Sequence, residues 1–260
     1  MAKWLPRELV QVQQEWPIAQ VIEALRMALN GQGPALAFGP TTHSHVSRKT
    51  AVVIPSSGSA GEPKEVALTS KALMASAKAA HKYLKGLKGL EIGGSAHNPF
   101  GLDTLNVDIT DSLETVFKQQ EIELCGEALK VDIIASGDNI PVEDKSFDFV
   151  ISSHVIEHFK NPIIALKEWQ RIAKKYIFII CSHKERTFDK DRELTNLFKL
   201  FHTPKMFLAE CKENENGHYT VWNLNTFLAM LIKLGLKIEY ANNIDDKVGN
   251  GFMVLIDVSE

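Results

Sequence analysis

From Pro17 to Leu29 the apolar residues Ile18, Val21, Ile22, Leu25 and Leu29 recur at helical spacing, which predicts an amphipathic helix. Pro17 suits its first position and Gly31 its C-terminal stop. A polar loop, "GPTTHSHVSRKT", precedes a short β-run starting at Ala51, "AVVIP", and then a serine- and glycine-rich loop, "SSGSAGEPK". Thr69 or Ser70 is placed to cap a second helix, "KALMASAKAAHKYL". "KGLKG" interrupts the pattern and predicts a boundary between an N-terminal α/β extension, residues 1–84, and a larger domain, residues 85–260.

From Leu87 onward short apolar β-runs alternate with helices. "GLEIG" predicts the first strand, "LNVDIT" a second ending near Asp108, "LKVDIIAS" a third, "FDFVISS" a fourth and "YIFIICS" a fifth. The clearest intervening helix is "NPIIALKEWQRIAKK". Alternation of this kind predicts an α/β fold with a Rossmann-like, doubly wound, mostly parallel sheet. The end of the chain differs. "LKIEYANN" and "GFMVLIDV" are joined through "IDDKVGNG", whose Gly-Asn-Gly marks a turn, so an antiparallel terminal strand is expected. No internal repeat or low-complexity tract interrupts this order.

Composition narrows the setting. The 260 residues carry 45% hydrophobic and 23% charged residues, as ordinary globular domains do. A formal charge of −3 gives no overall bias toward nucleic acid or an anionic membrane. No apolar stretch approaches the roughly 20 residues of a membrane span, and the N-terminus has no continuous apolar core of a secretory signal. Cys125, Cys181 and Cys211 are far apart and fit no paired metal spacing, so reduced thiols in the cytoplasm are expected, with Cys181 as a small core residue. Nothing in the pattern speaks to oligomeric state.

A sheet of this kind binds ligands beyond the C-terminal ends of its strands. There Gly93 and Gly94 remove Cβ atoms that would block close backbone approach. Glu91, just before them, is placed to orient the loop or to meet a cationic group. Asp108 ends the next strand, near the spacing expected for a carboxylate that binds ribose hydroxyls. The full G-x-G-x-x-G pattern is missing, because Ser95 and Asn98 stand at its later positions. A ligand with a ribose but no diphosphate therefore fits best.

The ordered set "LEIGG", "NVDIT" and "GDNIPVEDKSFDFVISSHVIEHFKNPIIALKEWQRI" resembles the class I S-adenosylmethionine-dependent methyltransferases, over roughly Leu87 to the C-terminus. The resemblance implies a methyl transfer from S-adenosylmethionine to an oxygen, or less readily a nitrogen, of a small molecule or glycan. It implies that Glu91, Gly93 and Gly94 form the loop on the methionine side, and that Asp108 holds the ribose. Asp138 and Asn139 would lie by the adenine, and Ser153 and His154 would line the floor below the methyl group. Three positions depart from the family: Ser95 replaces a third glycine, Ser136 replaces an acidic residue, and "AKKY" replaces a "KPGG" turn before the fifth strand.

Methyl transfer is an in-line displacement in which positioning contributes much of the catalysis. An oxygen nucleophile also benefits from a general base titrating near the working pH, which suits histidine. His154 is the first candidate and His183, after the fifth strand, the second. "HVIEH", residues 154–158, also matches the H-x-x-E-H zinc motif, which requires His154 and His158 on one helical face at i, i+4. Its place directly after a buried strand favours a methyltransferase edge, and no metal is expected. "SHKERTFDKDRELT" reads either as a solvated loop or as a lid using Arg186, Asp189, Asp191 and Arg192. His218 and Tyr219 in "NGHYTVW" are candidates to reach the same cleft.

The upstream loop has a louder phosphate signature. It resembles the "TSGSTGxPKG" loop of adenylate-forming acyl-CoA synthetases, through Ser56, Ser57, Gly58, Ser59, Gly61, Pro63 and Lys64, and "IEALRMALNGQGPALAF" resembles the o-succinylbenzoate-CoA ligase branch. Ala60 and Glu65 depart from it. Such ligases need several hundred residues, and the resemblance stops near Leu84. The extension therefore reads as a ligase fragment joined to an unrelated domain. A natural fusion, an engineered one and a gene-assembly artefact are all compatible with such a join. A retained ATP-dependent activity and a non-catalytic nucleoside-binding module are the alternatives to methyl transfer.

Overall fold

The computed structural model describes residues 6–56, 64–69, 80–96, 99–214, 217–245 and 247–259. The chain divides into two compact units, Met1–Lys78 with Asp246–Val248, and Ala79–Asp245 with Gly249–Glu260.

In the first unit, β1 (Arg7–Gln11), α1 (Ile18–Leu29), β2 (Ala35–Ala37), β3 (His45–Val46), β4 (Thr50–Ser56) and β5 (Lys64–Thr69) follow one another. The strands form one sheet in the order β3-β1-β2-β4-β5, parallel through β1, β2 and β4 and antiparallel at both edges. Pro17 stands at the cap of α1, one position before the first helical residue. Gly31 ends the helix as expected: its N–H meets the Ala28 carbonyl while Gln32 N–H reaches Met27, the paired closure of a left-handed helix stop. Leu9, Ala35, Ala37 and Val53 form the buried centre. The Arg7 guanidinium gathers the carbonyls of Ala28, Gly33 and Thr50, each at 2.8 Å. Residues 57–63 of the serine- and glycine-rich loop lie outside the described residues, as does the predicted helix before Ala80.

The second unit begins six residues earlier than the predicted boundary. Ala80 and Leu84, at the end of a helix, are buried in its core with Phe149, Ile151, Phe178, Ile180, Met253 and Leu255. Its elements are β6 (Lys88–Ile92), β7 (Asp103–Asp108), α2 (Val116–Cys125), β8 (Ile133–Ile134), β9 (Phe147–Ser153), α3 (Pro162–Ile172), β10 (Ala173–Ser182), α4 (Leu197–His202), α5 (Pro204–Glu210), α6 (Leu224–Lys233), β11 (Lys237–Asn242) and β12 (Gly251–Asp257). The seven strands are ordered β11-β12-β10-β9-β6-β7-β8, and only β12 runs against its neighbours. The reversed strand is thus last in the chain but lies inside the sheet.

Period-two alternation loads both faces. Leu90, Ile92, Val150, Ile177, Ile179, Val254 and Ile256 point to a core shared with Trp169 of α3 and Phe227, Met230 and Leu231 of α6. Residues between them supply the opposite core. Two predicted boundaries move. The third strand shortens to two residues. The helix expected to reach Lys175 stops at Ile172, and the fifth strand starts at once at Ala173 instead of Tyr176. The missing turn has a substitute: the Lys145 ammonium reaches the Gln170 and Ala173 carbonyls at 3.3 and 3.0 Å, satisfying acceptors that a helix end leaves open. No helix among the described residues is long and apolar enough to cross a membrane.

Candidate active site

From β6 the chain winds outward through β7 and β8 on one side, then returns to β9 and β10 on the other. That reversal opens a crevice beyond the carboxyl ends of β6 and β9. The turn leaving β6 is held open for close approach. Gly93 has φ +65°, and a Cβ there would lie 2.8 Å from the Val155 side chain. A Cβ on Gly94 would lie 2.8 Å from Asn106 Oδ1 and 3.0 Å from the Glu91 side chain. Glu91 is buried and accepts the Thr104 hydroxyl at 3.3 Å. The buried Asn106 is the hub: Oδ1 accepts Gly94 N–H at 2.9 Å, while Nδ2 donates to the Lys130 carbonyl at 3.0 Å. Farther along, Ala96 N–H donates to Glu121, which also accepts Leu129 N–H at 2.7 Å and the Lys118 ammonium at 2.9 Å. Burial pushes the Glu121 carboxyl up, but these donors outweigh it and hold its pKa below the ordinary value. Ser95 is within the described turn; Asn98 is outside it.

The opposite rim is built from β7 and the loop after β8. Asp108, half-buried, ends β7 and accepts Ile109 N–H at 2.7 Å, and its carbonyl accepts Ala135 N–H. Three residues on, Asp138 accepts the Ser136 hydroxyl, and Asn139 N–H returns to the Ser136 carbonyl at 2.9 Å. Helix α3, capped by the Asn161 side chain, clamps this loop. Trp169 Nε1 donates to the Gly137 carbonyl at 2.7 Å, Glu168 accepts Ile140 N–H at 2.8 Å, and Arg171 spans the carbonyls of Ile140 and Val142. On the β9 side, Ser153 ends the strand, and His154 follows with φ +57°, its N–H donated to Ile180. Gly93 and Gly94 follow β6, Asp108 ends β7, and Ser153 and His154 stand at the end of β9, so these residues lie at the carboxyl ends of neighbouring strands, with Asp138 and Asn139 in the loop after β8.

The family model for a methyltransferase domain matches residues 93–181, from the glycine turn to the end of β10. Over that segment the chain is similar to methyltransferase domains, and S-adenosylmethionine is the methyl donor of the class it resembles. An uncharacterised protein of Methanocaldococcus jannaschii, MJ0638, is 28% identical over 160 residues, 58% of this chain and 64% of that protein. A second from the same organism, MJ1123, is 31% identical over 91 residues, 34% of this chain and 40% of that protein. The chain thus spans less than two thirds of either curated archaeal relative. A probable 2-succinylbenzoate–CoA ligase of Mycobacterium tuberculosis is 38% identical over 78 residues, 26% of this chain and 20% of the ligase. Among solved structures, a SAM-dependent methyltransferase from Aquifex aeolicus is 18% identical, with a TM-score of 0.43 and coverage of 72% of this chain and 92% of its own. The 1,6-didemethyltoxoflavin-N1-methyltransferase of Burkholderia thailandensis, with bound S-adenosylhomocysteine, is 10% identical, with a TM-score of 0.46 and coverage of 73% and 79%.

Past β9, the "HVIEH" segment does not form the helical face that a zinc site requires. His154 precedes it in a left-handed conformation, and Ile156–His158 is a single turn of 3-10 helix. His154 Nδ1 lies 2.9 Å from the Ser182 hydroxyl, and His158 Nδ1 donates to the Gly217 carbonyl at 3.0 Å. Among the described residues no group of three His, Cys, Asp or Glu side chains could hold a metal ion. Glu157 is fully buried, with Oε1 accepting Ser182 N–H at 3.1 Å and lying 3.5 Å from His154. Burial pushes its pKa up, but the His154 contact and the charges of His154, His218 and His158 overcome this and hold it well below the ordinary range.

The proposed lid residues separate. Arg186 donates to the carbonyls of Gly251 and Asn243 and so anchors the start of β12. Asp191 is exposed. Asp189 is buried and accepts His218 Nδ1–H at 2.7 Å, Arg192 at 2.7 Å and Asn214 at 3.1 Å. Burial would raise the Asp189 carboxyl, but His218 and Arg192 hold it below its ordinary value. Tyr219 contributes its N–H to the Glu157 carbonyl at 3.0 Å, and its ring lies under the Lys160 ammonium. His183 caps the turn at Lys184–Arg186, where its Nδ1 accepts Glu185 N–H at 3.1 Å. Sequence reasoning missed Asn106, Glu121, Glu168, Trp169 and Arg171. Only Asn106 carried a signal: a polar residue between apolar ones in the run before Asp108.

Proposed function

We propose that the whole chain is an S-adenosylmethionine-dependent methyltransferase acting on an oxygen, or less readily a nitrogen, of a small molecule or glycan. The observation that carries this reading is the Gly93–Gly94 turn, braced by Asn106 and lying within a methyltransferase-domain match. Glu91, Gly93 and Gly94 hold the methionine side, Asp108 the ribose, and Asp138 with Asn139 the adenine edge. Ser153 and His154 line the floor of the transfer site. His154 is the first proposed proton acceptor and His183, which also caps the turn at Lys184–Arg186, the second. With three free cysteines and no membrane helix among the described residues, we place the reaction in the cytoplasm.

Calorimetry with S-adenosylhomocysteine against ATP tests the reading directly. Binding of S-adenosylhomocysteine is expected; a chain that bound ATP and ignored the nucleoside would overturn it. Asp108→Ala is expected to weaken S-adenosylhomocysteine by about 1–3 kcal/mol, the scale of a polar partner lost from a partly desolvated site.

A further inference from the structure

The connection from β6 to β7 spans only residues 93–102, and none of its described residues is helical. Parallel neighbours such as these are ordinarily joined by a longer crossover, usually a helix. A helix would fix the end of the glycine turn through its own backbone. Here other elements fix it. Gly93 N–H donates to the Val107 carbonyl at 2.8 Å and Gly94 N–H to Asn106 Oδ1 at 2.9 Å, both on β7. Ala96 N–H donates to Glu121 of α2, 25 residues away. At the far end His81 Nε2 donates to the Phe100 carbonyl at 2.9 Å.

Glu121 stands apart from the other ties. It is 2% exposed and its ion-pair partner Lys118 is 5% exposed. Taking two charges out of water often costs more than apolar residues of similar size would, so packing alone gives no reason for the pair. Two contacts of the carboxylate, the Lys118 ammonium at 2.9 Å and Leu129 N–H at 2.7 Å, stay within α2 and the loop after it. Lys118 stays local as well, since it also reaches the Leu129 carbonyl at 3.3 Å. A third contact of Glu121, the Ala96 N–H, crosses to the glycine turn. With so little surface Glu121 has no face left for a ligand, and it can act only through the turn.

We propose that Glu121 is a positioning residue, which through Ala96 N–H sets the glycine turn in the shape that receives the methionine end of the methyl donor. This rests on the methyltransferase reading above. A carboxylate accepting an N–H makes a stronger bond than a neutral acceptor does, so one buried side chain can hold a turn that has no helix behind it. The turn meets one end of the donor and not the other. Loosening it therefore lowers affinity for the amino-acid end and leaves the adenine and ribose contacts as they were. S-Adenosylhomocysteine carries that end. 5′-Methylthioadenosine has the same adenine, ribose and sulfur without it, so the ratio of the two affinities reads the turn alone.

The test is calorimetry of the full chain with these two nucleosides. Glu121→Gln keeps the size of the side chain and removes its charge. It is expected to weaken S-adenosylhomocysteine by about 10-fold, the scale of a lost hydrogen bond to a charged group, and to change 5′-methylthioadenosine affinity less than about twofold. Ile256→Val, a core change on β12, serves as the stability control: it should lower the melting temperature and leave the affinity ratio unchanged. Equal weakening of both nucleosides by Glu121→Gln, or no weakening of either, would overturn the positioning role. So would a ratio that shifts in Ile256→Val as it does in Glu121→Gln. Should Glu121→Gln fail to fold, amide hydrogen exchange in the unaltered chain decides. Ala96 N–H is expected to be protected, and exchange at the rate of an unstructured amide would overturn the tie. An unaltered chain that binds both nucleosides with equal affinity would show that the turn does not receive the methionine end. One that binds neither would overturn the methyltransferase reading itself.

Discussion

Asn106 does at the glycine turn what no residue of the turn does for itself: it supplies the acceptor for Gly94 N–H from the neighbouring strand. Replacing it with alanine leaves that N–H and the Lys130 carbonyl without their partner. A loss of about 1–3 kcal/mol in folding stability is expected from denaturant midpoints, together with weaker S-adenosylhomocysteine binding. The histidines around Glu157 set the pH response. Burial holds the pKa of His158 below its ordinary value, and the same cause acts on His183. The unfolded chain therefore binds more protons as pH falls through about 6.5, so stability is lost on acidification through that window. Thermal melts should fall between pH 7.5 and 5.5, and His158→Asn should flatten the slope. Glu157 has the depressed carboxylate pKa, so its contribution is present above about 4.3 and lost only in stronger acid.

Helix α3 is both a core element and a clamp. Its apolar face, Ala165, Leu166, Trp169 and Ile172, is buried, while Glu168, Trp169 and Arg171 reach the loop that carries Asp138 and Asn139. Trp169→Phe preserves most of the buried ring and removes the donor to Gly137. A stability loss of about 1 kcal/mol is expected, with a larger proportional effect on S-adenosylhomocysteine affinity than on melting temperature. Equal affinity in that variant would separate the clamp from the site. The apolar face was legible in the sequence, since its period matches a helix. The clamp was not, because Arg171 and Ile140 are 31 residues apart and an exposed Glu-x-x-Arg pair looks the same on any helix.

At the scale of the whole molecule, the second unit gathers all seven strands of one sheet and both of its cores. A fragment of residues 79–260 is therefore expected to unfold in one cooperative transition and to bind S-adenosylhomocysteine as the full chain does. A fragment that stayed unfolded would show that the first unit is required. Removing residues 251–260 should abolish folding altogether, because β12 is paired on both sides by β10 and β11.

Strand identity, strand order along the chain and the glycine turn followed from local pattern alone. Alternation by two, turns rich in glycine and a carboxylate at a strand end are properties of adjacent residues, so "GLEIGG" and "NVDIT" announced two strands, the glycine turn after the first and the carboxylate ending the second before any fold was known. Position in the sheet and partnership across it did not follow. The insertion of β12 between β10 and β11, the join of α3 to β10 across Lys145, and the meeting of Asp189 with His218 depend on residues brought together by packing over distances the chain does not encode locally. "SHKERTFDKD" read equally well as a solvated loop or a lid. Burial separated its carboxylates, since a buried Asp must find partners and an exposed one need not. Local pattern thus determined which elements form and where the glycine turn stands, and only tertiary packing decided which side chains meet around them.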